Sequence, residues 1–281
     1  MTLTAARTSA DVLTFRHRPI RAGWVQWYLL AADVHFDNPH CDRKLLFKHL
    51  KQAKERDARV LLLGDTLDAM QGRNDPRASK DDLLPELGTD EYMDAIVDDA
   101  AKQLGTYADL IDLISLGNHE DAARKHYGTN LAKRLAKRLD AEYFGWAGFV
   151  RFRFSGAKGQ RTSRLLYFHH GAGGGGEVTR GVIKTARRQV YQPDADIIAT
   201  GHIHEQWLMV IPRVRVSDGD ILYNDSCYHV QLPTYKNEWH AGAGWAMGKE
   251  MPPKPAGAWW MKFQYDGSMQ DNIAVNFEMA L

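Results

Sequence analysis

The chain has 281 residues, 44% of them hydrophobic, which is enough to bury a sizeable core in one large or two small domains. Lys and Arg number 36 and Asp and Glu 35, so the charge balance excludes a globally cationic nucleic-acid binder, although a local basic patch is compatible with it. The two cysteines, Cys41 and Cys227, are too few for a disulfide framework and favour a reducing compartment.

The N-terminal stretch has no apolar segment typical of a signal peptide. The longest apolar run near it, residues 27–32, is too short to span a membrane. We therefore expect a soluble cytoplasmic protein with no membrane attachment. Residues 1–22 are predicted to form a loosely ordered tail, and residues 23–281 a single domain, because no repeat or clear linker divides them.

Five short apolar runs end in His, Asp or Asn, usually beside a glycine. In chain order they are WYLLAADVHF (27–36), RVLLLGDTLD (59–68), LIDLISLGNHE (110–120), RLLYFHHG (164–171) and ADIIATGHIHE (195–205). Each apolar run is typical of a buried strand. Ligands bind at the carboxyl ends of strands in open α/β sheets, and glycine lets a ligand approach the backbone closely. The five strand ends therefore predict one shared site.

The segments between the first three strands have the spacing of amphipathic helices. Apolar residues recur at helical intervals in residues 42–56 and 90–104, which predicts a β-α-β-α-β unit with parallel strands. The later sequence changes pattern, because VRFRF (150–154) alternates as a half-exposed strand does, and further short strands follow with little helix. This order predicts an α/β protein with two packed sheets and helices outside.

The side chains at the strand ends form a mixed oxygen and nitrogen ligand set without cysteine, which favours Mn²⁺, Fe, Zn²⁺, Ni²⁺ or Mg²⁺. The set is too large for one ion. Two ions about 3.5 to 4 Å apart, bridged by a carboxylate and a hydroxide, would use all of it and would promote in-line displacement at phosphorus. A neighbouring histidine can then protonate the leaving oxygen as a general acid.

The motifs D-x-H, G-D-x-x-D, G-N-H-E, H-G and G-H-x-H, in this order between Asp33 and His204, resemble those of the calcineurin-like metallophosphoesterases. The resemblance implies the α/β metallophosphoesterase fold, a four-layer α/β/β/α sandwich of two mixed sheets flanked by helices. It also implies hydrolysis of phosphate esters with two divalent metal ions, for which we expect Mn²⁺ first and Zn²⁺, Fe or Ni²⁺ as alternatives.

The resemblance also assigns roles to individual residues. It implies a first metal held by Asp33, His35 and His204, a bridging Asp65, a second metal held by Asn118, His170 and His202, and His119 as the catalytic acid or phosphate-stabilising residue. His169 is the alternative to His170. We choose His170 because it directly precedes glycine, and because neighbouring strand residues point to opposite faces, so that one of the two reaches the metals.

Three assignments near the motifs keep an alternative. Asp68 is predicted to orient a metal ligand, and the alternative is that it caps a helix. Arg73 and Arg77 lie in a turn-rich loop similar to that of bacteriophage metallophosphoesterases, and either bind a polyanionic substrate or are solvated. The basic face of the helix predicted over residues 129–139 either contacts nucleic acid or faces solvent.

Residues 228–260 are rich in Tyr, Trp, Gly and Pro and are predicted to be a long loop. Their aromatic rings could stack on bases, wall a substrate pocket, pack on the sheet edge or form an oligomer contact. The leading functional hypothesis is a phosphodiesterase. The alternatives are a DNA nuclease of the repair-exonuclease type and a non-catalytic scaffold on the same fold, although this chain retains His119 and a full ligand set.

Overall fold

The computed structural model describes residues 2–71, 75, 78–79, 82–157, 159, 161–176, 178–239, 245–267 and 273–280. Its strands are β1 (Thr2–Ser9), β2 (Val12–Ile20), β3 (Trp24–Ala31), β4 (Arg59–Leu63), β5 (Ile111–Ser115), β6 (Glu142–Phe144), β7 (Ala147–Gly156), β8 (Arg161–His169), β9 (Ile197–Thr200), β10 (Trp207–Val216), β11 (Leu222–Gln231), β12 (Ala258–Tyr265) and β13 (Ala274–Ala280). Its α-helices are α1 (Arg43–Glu55), α2 (Tyr92–Leu104), α3 (Asn118–Tyr127), α4 (Leu131–Arg138), α5 (Val182–Tyr191) and the short α6 (Trp245–Gly248). Two 3₁₀-helices span Pro85–Leu87 and Gly105–Leu110.

A six-stranded sheet holds the first three motif strands in the order β13-β12-β3-β4-β5-β6. β3, β4, β5 and β6 are parallel, as the β-α-β-α-β pattern predicts. Helices α1 and α2 bury Leu50 and Val97 against the outer face of this sheet, beside Val60 and Leu62 of β4. The predicted helices at 42–56 and 90–104 are therefore confirmed.

A seven-stranded sheet holds the other two motif strands in the order β1-β2-β7-β8-β9-β11-β10. It is mixed, because β2 pairs with β7, β8 with β9 and β9 with β11 in parallel, whereas the remaining pairs are antiparallel. Helix α5 lies beyond this sheet, where Arg188 donates a hydrogen bond to Thr200 of β9 at 2.9 Å.

The two sheets pack face to face over an aromatic core. Phe15 of β2, Tyr28 of β3, Phe152 of β7 and Phe263 of β12 are all fully buried there. The ring centroids of Tyr28 and Phe152 are 4.8 Å apart, in the edge-to-face arrangement that aromatic pairs favour. The layers are thus helices, sheet, sheet and helix, which confirms the predicted α/β sandwich of two mixed sheets.

The prediction of a loosely ordered tail over residues 1–22 is wrong. Residues 2–20 form β1 and β2, and β2 pairs with β7 inside the seven-stranded sheet. The physical reason is burial, because Leu13 and Phe15 on the inner face of β2 are 0% exposed and complete the core between the sheets. Arg16 and Arg18 lie on the opposite face of β2 from Phe15, and this alternation is the strand pattern that was missed in the sequence.

The predicted loop at 228–260 is shorter than expected. Its ends belong to β11 and β12, and residues 240–244 within it lie outside the described residues. Tyr235 and Trp260 are buried, and the indole of Trp259 donates a hydrogen bond to the carbonyl of Gln231 at 3.0 Å. These three rings pack within the protein. Trp239 is 40% exposed, so an oligomer contact through this region stays a prediction. Among the described residues, no helix is long and apolar enough to cross a membrane.

Replacing Phe15 with alanine is expected to lower the free energy of unfolding by about 3–5 kcal/mol, because it leaves a cavity between the sheets. Urea denaturation measures this loss. Thr4→Ala on the exposed edge strand β1 is the control and should cost less than about 0.5 kcal/mol. A Phe15→Ala protein as stable as the wild type would show that residues 2–20 are not part of the cooperative fold.

Candidate metal centre

All five predicted motifs meet where the carboxyl ends of β3, β4 and β5 in one sheet approach those of β8 and β9 in the other. Backbone hydrogen bonds fix the strand ends, since the N–H groups of Asp33 and His35 donate to the carbonyls of Gly64 and Asp65, both at 3.0 Å. The two sheets are joined by the N–H of His202, which donates to Oδ2 of Asp33 at 2.8 Å. The structure therefore brings the five predicted strand ends together.

One group of ligand atoms consists of Asp33, His35 and His204, whose ligand atoms lie within 4.8 Å of one another. Oδ1 of Asp33 and Nε2 of His35 are buried and have no hydrogen-bond partner among the described residues. Nε2 of His204 lies 3.3 Å from Oδ1 of Asp33. Burial would lower the pKa of His204, but the Asp33 carboxylate raises it to about 10. Unpartnered buried ligand atoms beside a carboxylate fit a divalent cation.

A second group consists of Asp65, His170 and His202, with Asn118 beside them. Nε2 of His170 lies 3.1 Å from Oδ2 of Asp65 and 3.1 Å from Oδ1 of Asn118, and Nδ1 of His202 lies 2.6 Å from the same Asn118 oxygen. Nδ1 of His170 donates to the carbonyl of Leu63 at 3.2 Å, so Nε2 is the nitrogen that faces the oxygens.

The second group also needs positive charge. Burial alone would lower the pKa of His170, but the carboxylates of Asp65 and Asp33 raise it to about 9. A proton on Nε2 is one way to balance these oxygens. A divalent ion is the other, and the Nδ1–H bond to a backbone carbonyl is the usual way to fix the tautomer of a ligating histidine.

Asp65 connects the two groups. It belongs to the group with His170 and His202, and its carboxylate also lies within 4.8 Å of ligand atoms of His35 and His119. Burial would raise the pKa of Asp65, but His170 and His119 hold it well below its usual range. Asp65 therefore lies between two groups of possible metal ligands.

His119, the second residue of α3, faces the cavity beside Asp65 with its side chain 13% exposed. Nδ1 lies 2.8 Å from the backbone carbonyl of Asp68, and a carbonyl only accepts, so Nδ1 carries a proton. Nε2 lies 3.9 Å from Oδ2 of Asp65. This hydrogen bond fixes the orientation of the His119 ring.

Asp68 is placed to orient His35, as one of its two predicted roles requires. Its Oδ1 lies 2.7 Å from Nδ1 of His35, and the side chains of Asn38 and Lys236 donate to its two oxygens at 2.8 and 3.2 Å. No helix begins at Asp68 in the described structure, so the capping alternative is wrong. His35 and Lys236 lower the pKa of Asp68 despite its burial.

His170, and not His169, points into the centre. Nδ1 of His169 accepts a hydrogen bond from the N–H of Gly171 at 2.8 Å, and its ring lies beside Trp146. Arg73 and Arg77, the predicted substrate cations, lie outside the described residues.

Glu120 is fully buried behind the centre, and its role was not predicted from the sequence. Its carboxylate accepts hydrogen bonds from the N–H groups of Asp65, Leu67 and Gly117, at 3.2, 3.0 and 3.0 Å. Burial, and then Asp65, raise the pKa of Glu120 to about 8. Glu120 ties the ends of β4 and β5 together. The three-residue spacing from Gly117, which resembles a capping box, is the cue that could have identified it.

Two other acidic residues were missed or misjudged. Glu238 lies in the segment that was predicted to be a long loop, and it belongs to none of the five motifs. Its Oε1 is 3.6 Å from Nδ1 of His204. Asp37 is 3% exposed and accepts hydrogen bonds from the N–H groups of Asp68 and Ala69 at 2.6 and 2.9 Å. Both belong to the structure that supports the centre.

Five of the seven predicted metal ligands have a left-handed backbone. They are Asp33 (φ 52°), His35 (φ 49°), Asp65 (φ 48°), His202 (φ 74°) and His204 (φ 54°). This conformation is uncommon outside glycine, and a cluster of such residues is typical of functional sites. The sharp turns aim the five side chains back into one volume.

The centre opens into a cavity of about 330 Å³. His119 and His202 form its floor, and residues 173–176 of the glycine-rich loop form one wall. Met251 and Pro252 form another, near an ion pair in which Nζ of Lys254 lies 2.6 Å from Oε1 of Glu205. The cavity is large enough for a phosphate ester and is partly apolar.

The basic helix predicted over residues 129–139 is α4, and two of its cations are neutralised. Arg134 pairs with Asp94 and Arg138 pairs with Asp98, both on α2. Contact with nucleic acid through this face stays a prediction. The face carries less unpaired positive charge than the sequence indicates.

No protein-family model matches the chain, and no curated protein is significantly similar to it. Among solved structures, it is similar to a calcineurin-like phosphoesterase, YfkN, from Bacillus subtilis (12% identity, TM-score 0.38, 92% of this chain and 91% of that chain). It is also similar to a predicted phosphoesterase from Streptococcus pneumoniae (12%, 0.33, 92% and 92%) and to GAP50, the anchor in the inner membrane complex of Plasmodium (11%, 0.43, 91% and 85%). At such TM-scores these matches decide nothing about activity, so the functional argument rests on the site.

Gly117→Ala is expected to disrupt the centre, because the added Cβ would overlap Oδ1 and the backbone nitrogen of Asp65. We expect a destabilisation of about 1–3 kcal/mol, measured by thermal unfolding, and a loss of bound metal, measured by elemental analysis. Gly145→Ala is the matched control, since its Cβ would meet nothing within 4 Å. Wild-type metal content in Gly117→Ala would contradict the packing of Asp65 described above.

Proposed function

We propose that this chain is a calcineurin-like metallophosphoesterase that uses two divalent metal ions to hydrolyse phosphate esters, with phosphodiesters as the preferred class. The observation that carries the proposal is the position of Asp65. Its carboxylate lies between one group of ligand atoms that includes His35 and another that includes His170. A carboxylate shared by two oxygen- and nitrogen-rich sites is the donor arrangement of a dimetal hydrolase.

Seven residues fit the two ions. The proposed first site is Asp33, His35 and His204, the proposed second site is Asn118, His170 and His202, and Asp65 is the proposed bridge. When bound, the ions polarise the phosphoryl group and supply a water-derived nucleophile at neutral pH. Mn²⁺ is our first expectation for this donor set, with Zn²⁺, Fe and Ni²⁺ as alternatives.

His119 is proposed as the general acid. Nε2 faces the cavity and can give a proton to the leaving oxygen of the ester, because Nδ1–H stays bonded to the carbonyl of Asp68 and the neutral ring keeps the same orientation afterwards. Asp68 acts on catalysis through other residues, since it orients His35 with its carboxylate and His119 with its backbone carbonyl.

The preference for diesters over monoesters rests on the cavity. Its wall of Met251 and Pro252 provides apolar surface for a second ester substituent, and its one described cation away from the centre, Lys254, is already paired with Glu205. A dianionic monoester would find no further free cation among the described lining residues.

Metal dependence is the first test. Protein stripped with a chelator should lose hydrolysis of bis-p-nitrophenyl phosphate and regain it with Mn²⁺. The rate on p-nitrophenyl phosphate should be lower than the rate on the diester.

The variant Asp65→Asn should lose both ions, and its rate of diester hydrolysis should fall at least ~10²-fold. Asp140→Asn, on the exposed surface, is the control and should behave as the wild type. Full activity after metal removal would contradict the proposal, and two bound ions without turnover on any ester would favour the scaffold alternative.

His119→Ala should keep both ions but lose ~10²–10⁴-fold in kcat on a diester with an alkoxide leaving group. The loss should be much smaller with p-nitrophenolate, which leaves without a proton. The exposed His126 on the same helix gives the control variant His126→Ala. Equal losses on the two kinds of leaving group would argue against a general acid.

A further inference from the structure

Five arginines surround a cleft on the outer face of the seven-stranded sheet, and the proposed phosphoesterase chemistry uses none of them. They are Arg16 and Arg18 of β2, Arg151 and Arg153 of β7, and Arg161 of β8. Alternate residues of a strand share a face, and the intervening Phe15, Phe152 and Phe154 are in the core, so the arginines point outward. The cleft has a volume of about 430 Å³.

Among the residues that the structure describes, no acidic side chain forms an ion pair with the arginines of this cleft. No acidic residue is among the described residues that line it. Arg16 and Arg153 are register partners on adjacent strands, an arrangement in which like charges destabilise a sheet. Elsewhere on the same sheet, Arg213 is paired with Asp225 at 2.8 Å. An unpaired arginine cluster opposes folding, and a bound anion would offset that cost.

We propose that this cleft binds an oligophosphate, an anion with several closely spaced phosphate groups. The guanidinium fork matches phosphate oxygens in bidentate geometry, and three strands direct such forks into one volume. Ser155, Thr162 and Ser163 add hydroxyl groups to the lining.

The shape and the lining select this class of anion. A concave cleft suits a compact anion better than a flat lipid surface. The one aromatic residue among its described lining, Phe154, is 1% exposed, so the cleft offers no stacking platform of the kind that single-stranded nucleic acids use.

The cleft is a separate site. Along β8, Arg161 begins the strand and His169 ends it beside the metal centre. Eight residue steps at about 3.3 Å each place the two sites roughly 25 Å apart. An oligophosphate in the cleft therefore leaves the metal centre free, and the inference does not depend on the reaction catalysed there.

The test compares Arg16→Gln/Arg153→Gln with Lys44→Gln/Lys54→Gln, which removes the same charge from the exposed face of α1 beyond the other sheet. Isothermal titration calorimetry with inorganic tripolyphosphate is run on the full chain. The arginine variant should bind at least ~tenfold more weakly per arginine removed, and the lysine variant should bind as the wild type does.

Two further readouts separate binding from structure. Tripolyphosphate should raise the Tm of the wild type and of the lysine variant but not that of the arginine variant, whose Tm without ligand should be equal to or above that of the wild type. Hydrolysis of bis-p-nitrophenyl phosphate should be the same in all three proteins. Since the metal centre is intact in each, any tripolyphosphate bound there contributes equally.

The outcomes are distinguishable. Unchanged affinity in the arginine variant, or an equal loss in the lysine variant, would overturn the proposal. Tighter binding of a single-stranded DNA oligonucleotide or of anionic phospholipid vesicles than of tripolyphosphate, lost in the arginine variant, would replace it with a nucleic-acid or membrane surface. A parallel titration with a nucleoside triphosphate shows whether the cleft binds the phosphate chain alone or as part of a nucleotide.

Discussion

The structure depends on the compensation of buried acidic side chains. Asp33, Asp37, Asp65, Asp68 and Glu120 are each at most 3% exposed and lie around one centre. Burying carboxylates is costly unless cations or hydrogen-bond donors surround them. Backbone N–H groups satisfy Asp37 and Glu120, and Lys236 with Asn38 satisfies Asp68, so these three need no metal. Asp33 and Asp65 each accept one backbone N–H, from His202 and His119, and their other oxygens face histidine rings. These two carboxylates are the ones that a divalent ion would compensate.

The acidic residues that need no metal link the strand ends to the residues of the proposed catalytic site. Glu120 fixes the ends of β4 and β5, and Asp37 fixes the turn that leads to Asp68. Asp68 then orients His35 and His119, which face the cavity. The left-handed turns at the ligands are held by this network, because single residues in that conformation would otherwise relax. The catalytic proposal therefore rests on a hydrogen-bonded support, and the oligophosphate cleft lies at the far end of β8, roughly 25 Å away.

The sequence allowed much of the fold and site to be predicted, and the physical reasons are specific. Apolar runs that end in Asp65 or His202 predict strand ends, and the shared edge of parallel strands brings such ends together. The N-terminal strand pair was missed because Leu13 and Phe15 are followed by Arg16 and Arg18, so that the segment resembles a solvated tail. Glu238 and Lys236 were missed because their roles depend on a chain reversal that brings the segment after β11 back to β3, where the N–H of Tyr235 donates to the carbonyl of Asp33. Local sequence carries no information about such a contact.

The central claim is that Asp65 lies between two metal ions. Crystals of the protein grown with Mn²⁺, with diffraction recorded at the manganese absorption edge, test it most directly. The account predicts two anomalous peaks about 3.5–4 Å apart, one beside Asp33, His35 and His204 and the other beside Asn118, His170 and His202, with the Asp65 carboxylate contacting both. A single peak, or two peaks that do not share Asp65, would contradict it.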